Sequence, residues 1–230
     1  MIPIWVQLAY LFAALCFIVA LKGLSGPRTA RRGNIVGAAG AVVATVVVFW
    51  ERDLDHLLPI LVAVAIGTAA GALGARRVQM TQMPQLVALF NGVGGGAAGL
   101  VALLELQELA AASSVVDVAE FDLAATAFTV LVGAISFAGS MVTFAKLQEL
   151  MTTRPVLFPG LPVAFGGSLV VALGLSVLLV VEPALWPGVV VGLVGLVVGV
   201  LLVLPVGGAD VPIVISLLNA FTGLTVAAGG

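Results

Sequence analysis

Residues Leu185–Leu204 read LWPGVVVGLVGLVVGVLLVL, a stretch that contains no charged side chain. A helix of about 20 apolar residues crosses the hydrocarbon core of a bilayer. Glycines recur on one face of this predicted helix, at Gly188, Gly192, Gly195 and Gly199. Because small residues let two helix backbones approach closely within lipid, we expect that face to pack against a neighbouring helix.

Seven further stretches of the chain have the same character. Hydrophobic residues make up 62% of the 230 positions and charged residues only 9%, whereas soluble domains carry about 25% charged residues. Lipid offers no partner to an open strand edge, and the alternating pattern of a barrel is missing. The sequence therefore predicts an all-α, polytopic transmembrane helical bundle with about eight spanning helices, at Pro3–Leu21, Asn34–Trp50, Leu57–Ala75, Pro84–Leu104, Asp122–Ala145, Leu161–Val181, Leu185–Leu204 and Val211–Ala228.

Charge divides the loops between these spans into two sets. Acidic residues dominate the even-numbered loops, and eight of the nine basic residues fall in the odd-numbered loops: Lys22, Arg28, Arg31, Arg32, Arg76, Arg77, Lys146 and Arg154. Basic loops remain in the cytoplasm, so the pattern predicts an external N-terminus. Trp5, Trp50 and Trp186 then all lie at the outer interface, where amphipathic rings are favoured.

Polar side chains inside three of the spans form the main candidate site. We expect them to face one another and to enclose a narrow hydrated path, because a polar group in hydrocarbon needs a partner or a cavity. Two other interpretations stay open: Ser and Thr can bond back to their own helix carbonyls, and Asn can join two helices. The residues are Asn91 in the fourth span; Thr129, Ser136, Ser140 and Thr143 in the fifth; and Ser216, Asn219 and Thr222 in the eighth.

Three other features of the sequence have the residue types of a functional site. Asp210 is placed to cap the eighth helix, but it would also lie at the cytoplasmic mouth of the path, where it could sense a proton or a partner. His56, in an acidic outer loop, reads as a solvated surface residue. Gly94, Gly96 and Gly99 match G-x-G-x-x-G, but they lie inside a span without a preceding strand, which argues against a dinucleotide site.

The residues thus show no self-contained chemistry. No nucleophile–base pair, metal cluster or carboxylate dyad lies within the spans, and no basic patch beside aromatic residues suggests nucleic-acid binding. The pattern alone indicates a helical bundle with an ion path.

Four segments carry a resemblance to a known family: LKGLS at Leu21–Ser25, VQMTQMPQLVALFNGVGG at Val78–Gly95, FAGSMVTFAKL at Phe137–Leu147 and GGADVPIVISLLN at Gly207–Asn219. Together they resemble the beta subunit of the proton-translocating NAD(P) transhydrogenase. The similarity spans nearly the whole chain, and the Gly-Gly-Ala-Asp segment is its most specific part.

The resemblance implies a nine-helix membrane domain followed by a cytoplasmic NADP(H)-binding domain. Residues 1–230 would be the transmembrane proton-translocating domain, with no cofactor, metal or hydride-transfer site of their own, and the abrupt end after the eighth span leads us to expect a longer protein. The full enzyme would use NADP(H) and NAD(H), coupling hydride transfer from NADH to NADP⁺ to inward proton movement. The implied partners are an alpha subunit and a second protomer, in a bacterial inner membrane.

The resemblance also implies roles for individual residues. Asp210 matches a family aspartate that links proton movement to the NADP(H) domain. Asn219 matches a membrane asparagine of the proton path, and Ser140 lies in a matched polar segment that we place on this path with Ser216. Asn91 stands where other members have a histidine considered a proton carrier. Since an amide does not titrate near neutral pH, Asn91 can orient water but cannot hold the proton, which then passes through water or through the alpha subunit.

Two other functions remain as alternatives. A stand-alone secondary transporter would carry a solute without a partner subunit, although such folds commonly contain inverted repeats and none is evident between the halves. A purely structural scaffold would conduct nothing, and its helices would meet through dry Gly/Ala packing rather than ordered water.

Overall fold

The computed structural model of the protein describes residues 3–51, 56–112 and 120–229. Within these ranges the chain forms helices and no strand, and eight of the helices are long and apolar enough to cross a membrane, which confirms the predicted all-α bundle. A short 3-10 helix, Met80–Gln82, precedes the fourth. The helices are α1 Ile4–Leu24, α2 Ala30–Glu51, α3 Leu57–Arg77, α4 Met83–Ala112, α5 Glu120–Leu147, α6 Leu161–Val181, α7 Leu185–Val203 and α8 Val211–Ala228.

The helix boundaries agree closely with the predicted spans except in α4. This helix continues to Ala112 rather than ending at Leu104, so Glu105 and Glu108 are helical and not in a loop. The extension reads ELQELAAA, and Glu, Leu, Gln and Ala are strong helix formers. The apolar run predicts where the chain crosses the membrane. The helix itself continues for as long as the following residues favour helix.

The predicted outer loops are only partly described. His56 is exposed at the turn before α3, as expected of a surface residue. Four charged positions of these loops, Arg52, Asp53, Asp55 and Asp117, lie outside the described residues. Which face of the membrane the N-terminus occupies stays a prediction.

In the first of two compact units, Met1–Gly71, α1 packs against α2. The contact depends on glycine. A Cβ atom added at Gly33 would lie 2.9 Å from the Ala20 carbonyl oxygen, and one at Gly40 would lie 2.8 Å from the Cys16 Cβ. Both distances are too short for a real side chain, so the small residues set the separation of the two helices.

In the second unit, Ala72–Gly230, α5 is the central helix. It contacts α4, α6, α7 and α8, and α4 also contacts α8. The sides of α5 are therefore covered by protein, and its buried residues include polar ones: Thr126, Thr129, Ser136, Ser140, Thr143 and Lys146. The protein thus provides an environment away from lipid for the polar face of its fifth span.

The glycine stripe of α7 packs as predicted. A Cβ atom at Gly195 would lie 3.0 Å from the Leu131 carbonyl oxygen, and one at Gly199 would lie 3.0 Å from the Gly139 nitrogen, both on α5. In α3, by contrast, a Cβ atom at Gly67 or Gly71 would meet nothing within 4 Å. A Cβ atom at Gly74, near the end of the same helix, would lie 3.6 Å from Leu86 Cδ1 on α4, which is an ordinary contact distance.

Replacing Gly133 by alanine tests the close approach of α5 to α4. The added Cβ would lie 2.7 Å from the Gly95 carbonyl oxygen and 2.9 Å from the Gly99 nitrogen. We therefore expect overpacking to lower the free energy of unfolding by about 1–3 kcal/mol. Gly174→Ala in α6 is the matched control, because its Cβ would meet nothing within 4 Å and alanine favours the helix by up to about 1 kcal/mol. Thermal unfolding in detergent measures both variants, and equal stabilities would contradict the close approach.

Candidate functional site

Asn91, inside α4, is the centre of a buried polar cluster. Its side chain is only 7% exposed. The amide Nδ2 donates to Ser140 Oγ at 2.9 Å and to Ser136 Oγ at 3.2 Å, both on α5. The structure thus brings together Asn91 and Ser140, two of the residues that the sequence assigned to the path.

Glycines of α4 make this approach possible. A Cβ atom at Gly92 would lie 3.0 Å from the Ser140 Cβ, and one at Gly95 would lie 2.9 Å from the Ser136 Cβ. The glycine-rich segment that follows Asn91 is therefore a packing surface for α5. It lies inside a helix, where no free N-terminal N–H groups point at a ligand, and it cannot cradle a pyrophosphate.

The cluster continues from α5 to α8. Ser136 Oγ lies 2.5 Å from Thr222 Oγ1 and 3.1 Å from the Leu218 carbonyl oxygen, which also accepts from Thr222 Oγ1 at 3.1 Å. Hydrogen bonds can thus run in series from the Asn91 amide through two hydroxyls to a helix carbonyl. We call Asn91, Ser136, Ser140 and Thr222 the Asn91 cluster; it joins three helices.

Three buried polar atoms close to this interface have no hydrogen-bond partner within the described protein: Asn91 Oδ1, Thr143 Oγ1 and Gln85 Oε1. The other end of the Gln85 amide is bound, since Nε2 donates to the Leu147 carbonyl oxygen at 3.1 Å. Buried polar atoms are normally satisfied by protein or by ordered water. These atoms are therefore where bound water is expected along the α4–α5 interface.

Ser216 and Asn219, also assigned to the path, are not brought to the cluster. Both side chains are exposed on the surface of the described chain. The buried face of α8 instead carries Leu218 and Thr225, with Thr222 half-buried beside them. The sequence predicts the polar stripe of α8 but not the rotation of that helix about its axis, and the role of Asn219 and Ser216 stays a prediction.

Asp210 occupies the N-cap position of α8 without capping it. Its carbonyl oxygen accepts from the Ile213 and Val214 amides at 3.0 and 3.3 Å, whereas its carboxylate makes no capping hydrogen bond. The capping role considered from sequence is therefore wrong for the side chain. Asp210 is exposed, so its carboxylate is available to a partner outside the helix.

Lys146 is a site residue that the sequence placed wrongly, in a loop. The structure places it in the last turn of α5, fully buried, with Nζ donating to the carbonyl oxygens of Val203, Leu204 and Val206. The signal was its position three residues after Thr143, which continues the polar face of α5 at helical spacing.

The end of α5 fixes this lysine. The Glu149 amide donates to the Lys146 carbonyl at 3.2 Å and the Leu150 amide to the Ala145 carbonyl at 2.9 Å, the two bonds of a Schellman motif. Glu149 has φ of 57°, a left-handed conformation that usually belongs to glycine. α5 therefore ends sharply, directly beside the buried lysine.

The cavity nearest the Asn91 cluster is chemically unsuited to a charged ligand. An apolar cavity of about 510 Å³ lies between α4, α5 and α7, lined by residues such as Leu100, Phe137 and Leu193. Such a lining suits hydrocarbon rather than a nucleotide. Across residues 3–51, 56–112 and 120–229, no three His, Cys, Asp or Glu side chains gather in a group that could hold a metal ion.

Ser136→Ala tests the Asn91 cluster as a structural unit. The change removes hydrogen bonds to Asn91, Thr222 and the Leu218 carbonyl. Because interhelical hydrogen bonds in membranes average about 0.6 kcal/mol each, we expect the free energy of unfolding to fall by about 1–2 kcal/mol. Ser176→Ala, whose hydroxyl bonds only to the Ala172 carbonyl of its own helix, should have little effect. Unfolding measured in mixed micelles compares the two, and an equal loss would contradict the three-helix connection.

Comparisons with known proteins agree with this architecture. The family described as NAD(P) transhydrogenase beta subunit matches residues 6–230. Two curated relatives, both NAD(P) transhydrogenase subunit beta of Rhodospirillum rubrum, are 38% identical over 224 residues. The match covers 96% of this chain and 48% of each relative, so the chain spans about half their length. The resemblance inferred from the sequence segments is confirmed: the chain belongs to the NAD(P) transhydrogenase beta subunit family.

Proposed function

We propose that this chain forms the proton-conducting membrane part of a transhydrogenase that couples hydride transfer between NAD(H) and NADP(H) to proton movement. The observation that carries the proposal is the Asn91 cluster, in which side chains of α4, α5 and α8 meet away from lipid. Family membership supports the enzyme, and the cluster supports the location of the path within it.

The cluster differs from the ordinary polar residues of membrane helices. Ser176, Thr45 and Thr225 each bond to a carbonyl four residues earlier in their own helix, which is the usual arrangement in hydrocarbon. Asn91 and Ser136 instead bond across helices. Polar groups placed between membrane helices are costly and mark ion pathways and proton relays.

Within this proposal Asn91 orients the proton carrier and does not itself carry the proton. Its two N–H donors point at Ser136 and Ser140, which leaves Oδ1 as a buried acceptor with no protein partner among the described residues. An acceptor in that position fixes the direction of a water molecule or receives a hydrogen bond from a protonated group. The titrating group then belongs to water or to the alpha subunit.

The exposed amide of Asn219 supports a partner that covers α8. An amide facing hydrocarbon would lose its hydrogen bonds to water, at a cost of roughly 1–3 kcal/mol or more. We therefore infer that Ser216 and Asn219 face polar groups of another chain, and that the path lies between α8 and the alpha subunit as well as inside this chain.

Asp210 would couple proton movement to nucleotide binding. Its carboxylate is exposed at the start of α8, the same helix that carries Thr222 of the cluster. We infer that a ninth helix and an NADP(H)-binding domain occupy the remaining half of the full-length protein, with Asp210 facing that domain. The whole complex would be a dimer of protomers in a bacterial inner membrane.

A purely structural scaffold explains less. Close Gly/Ala packing between α1 and α2, and between α5 and α7, needs no polar group. A scaffold gains nothing from a buried amide whose oxygen has no protein partner in the described structure, whereas a hydrated path requires such an acceptor. Solute transport by the chain without a partner would favour the transporter alternative.

Asn91→Leu in the complete complex tests the path. The substitution keeps approximate volume and removes the amide, so we expect proton-coupled turnover in proteoliposomes to fall by about tenfold or more, which corresponds to ~1.4 kcal/mol of barrier. A pH-sensitive dye and the absorbance of the reduced nucleotide report the two halves of the reaction. Ser176→Ala is the control, and proton movement at the wild-type rate in the Asn91 variant would exclude the cluster from the path.

Asp210→Asn and Asn219→Leu test the two residues that the structure leaves exposed. Each should lower proton-coupled turnover by about tenfold, the first by removing the carboxylate charge and the second by removing the amide that faces the partner. Glu149→Gln, another exposed carboxylate, at the end of α5, should leave turnover unchanged. Wild-type turnover in either variant would show that its assigned role is wrong.

A further inference from the structure

Lys146 is a buried cation that the proposed path does not use. It is the largest of the fully buried side chains, with 0% exposure. Its Nζ donates at 3.2 Å to the Val203 carbonyl oxygen and at 2.7 Å to each of the Leu204 and Val206 carbonyl oxygens. These carbonyls belong to the end of α7 and to the loop that follows it.

The geometry indicates an ammonium group. Three acceptors match the three N–H donors of a protonated lysine, whereas a neutral amine has only two. The last carbonyls of a helix also carry the partial negative charge of the helix dipole. Lys146 is therefore a cation that caps α7 from a neighbouring helix, and as a group bound through all its protons it does not act as the proton carrier.

The bonds of Lys146 hold the segment that leads to Asp210. Val206 lies four residues before Asp210, and α8 begins directly after it. The same segment is bound to the loop after α5, since the Gly208 amide donates to the Thr153 carbonyl at 2.9 Å. We call residues 204–210 the α7–α8 loop; its position is set by the end of α5.

α5 is thus hydrogen-bonded both to α8 and to the loop that precedes α8. Ser136 bonds to Thr222 and Leu218 in the middle of α8, and Lys146 bonds to the loop before α8. The two residues are ten positions apart, about 15 Å along a helix axis. A displacement of Asp210 can therefore reach α5 through the Lys146 bonds as well as through α8, whose Thr222 and Thr225 also bond to α5.

We propose that Lys146 is a positioning residue for coupling: its ammonium holds the α7–α8 loop, and with it Asp210, at a fixed place relative to the Asn91 cluster. This role rests on the proposed function, because it assumes that Asp210 and the cluster act in one reaction. It assigns to the lysine neither proton transfer nor contact with nucleotide.

The test uses the complete complex with Lys146→Met, which keeps the length of the side chain and removes all three donors. Lys146→Arg, which retains charge and donors, is the rescue variant, and Lys22→Met is the matched control at the other, exposed lysine. A nitroxide attached to Ala209→Cys in a Cys16→Ser background reports the mobility of the α7–α8 loop by electron paramagnetic resonance.

We expect Lys146→Met to increase the mobility of the label and to lower proton-coupled turnover by about tenfold. Lys146→Arg should restore both at least in part, and Lys22→Met should change neither. Unchanged mobility in the methionine variant would overturn the proposal, as would a mobile loop with wild-type coupled turnover. Proton movement that survives Asn91→Leu would instead refute the proposed path. The mobility of the label would still show whether Lys146 holds the α7–α8 loop.

A second measurement needs no variant and so does not depend on folding of the mutants. The two lysines of this chain compete for an amine-reactive acylating reagent applied to the intact complex. Lys22 should react readily and Lys146 about a hundredfold more slowly, because it must first be released by local opening. Equal rates of acylation, measured by mass spectrometry, would overturn the proposal.

Discussion

The close approach of α4 and α5 is the constraint on which the rest of this structure depends. Inside a bilayer, a polar side chain needs protein or water as its partner, because lipid provides none. Glycines at 92 and 95 bring the backbone of α4 against Ser140 and Ser136 of α5. Only at that distance can a side chain as short as asparagine bridge the helices. The hydrogen bonds of Asn91 therefore depend on the two glycines.

α5 links the Asn91 cluster to the end of the bundle that contains Lys146. Its polar face runs from Thr129 through the Asn91 cluster to Lys146. Three residues of this face bond to three different neighbours: Thr129 to the Thr225 carbonyl on α8, Ser140 to the Asn91 amide on α4 and Lys146 to the end of α7. A helix held by all its neighbours moves as a rigid element. Coupling between two distant sites requires such an element, whose position both sites influence.

The sequence predicted the helices well because their signal is local. Apolar runs of the length of a bilayer determine the spans, and α6 and α8 begin and end at the predicted residues. It predicted the orientation of side chains less well. The sequence predicts Lys146 in a loop because the predicted span ends at Ala145, yet the carbonyls at the end of α7 and just after it accept its hydrogen bonds. Those carbonyls are about sixty residues away in sequence, so the sequence around the lysine gives no sign of them.

The rotation of α8 was also beyond reach of the sequence. Ser216, Asn219 and Thr222 share a helical spacing, but neighbours on a stripe differ by about 60° around the axis, enough to place Thr222 against α5 and Asn219 on the surface. Which edge of the stripe turns inward depends on packing: Leu218 lies against Gly139 of α5, where a Cβ would be 3.1 Å from the leucine Cδ1.

In the proposed path, the amide at position 91 limits how protons could cross. Asparagine offers donors and an acceptor in fixed directions and does not titrate near neutral pH. Its two N–H donors are bound to two serines of α5. The direction in which the amide oxygen points is therefore set by α5 rather than by solvent. An oxygen fixed in this way favours a species that donates to it, such as water or a protonated side chain of another chain. Under the proposed function, this chain would orient the proton carrier, and the carrier would be the group that gains and loses the proton.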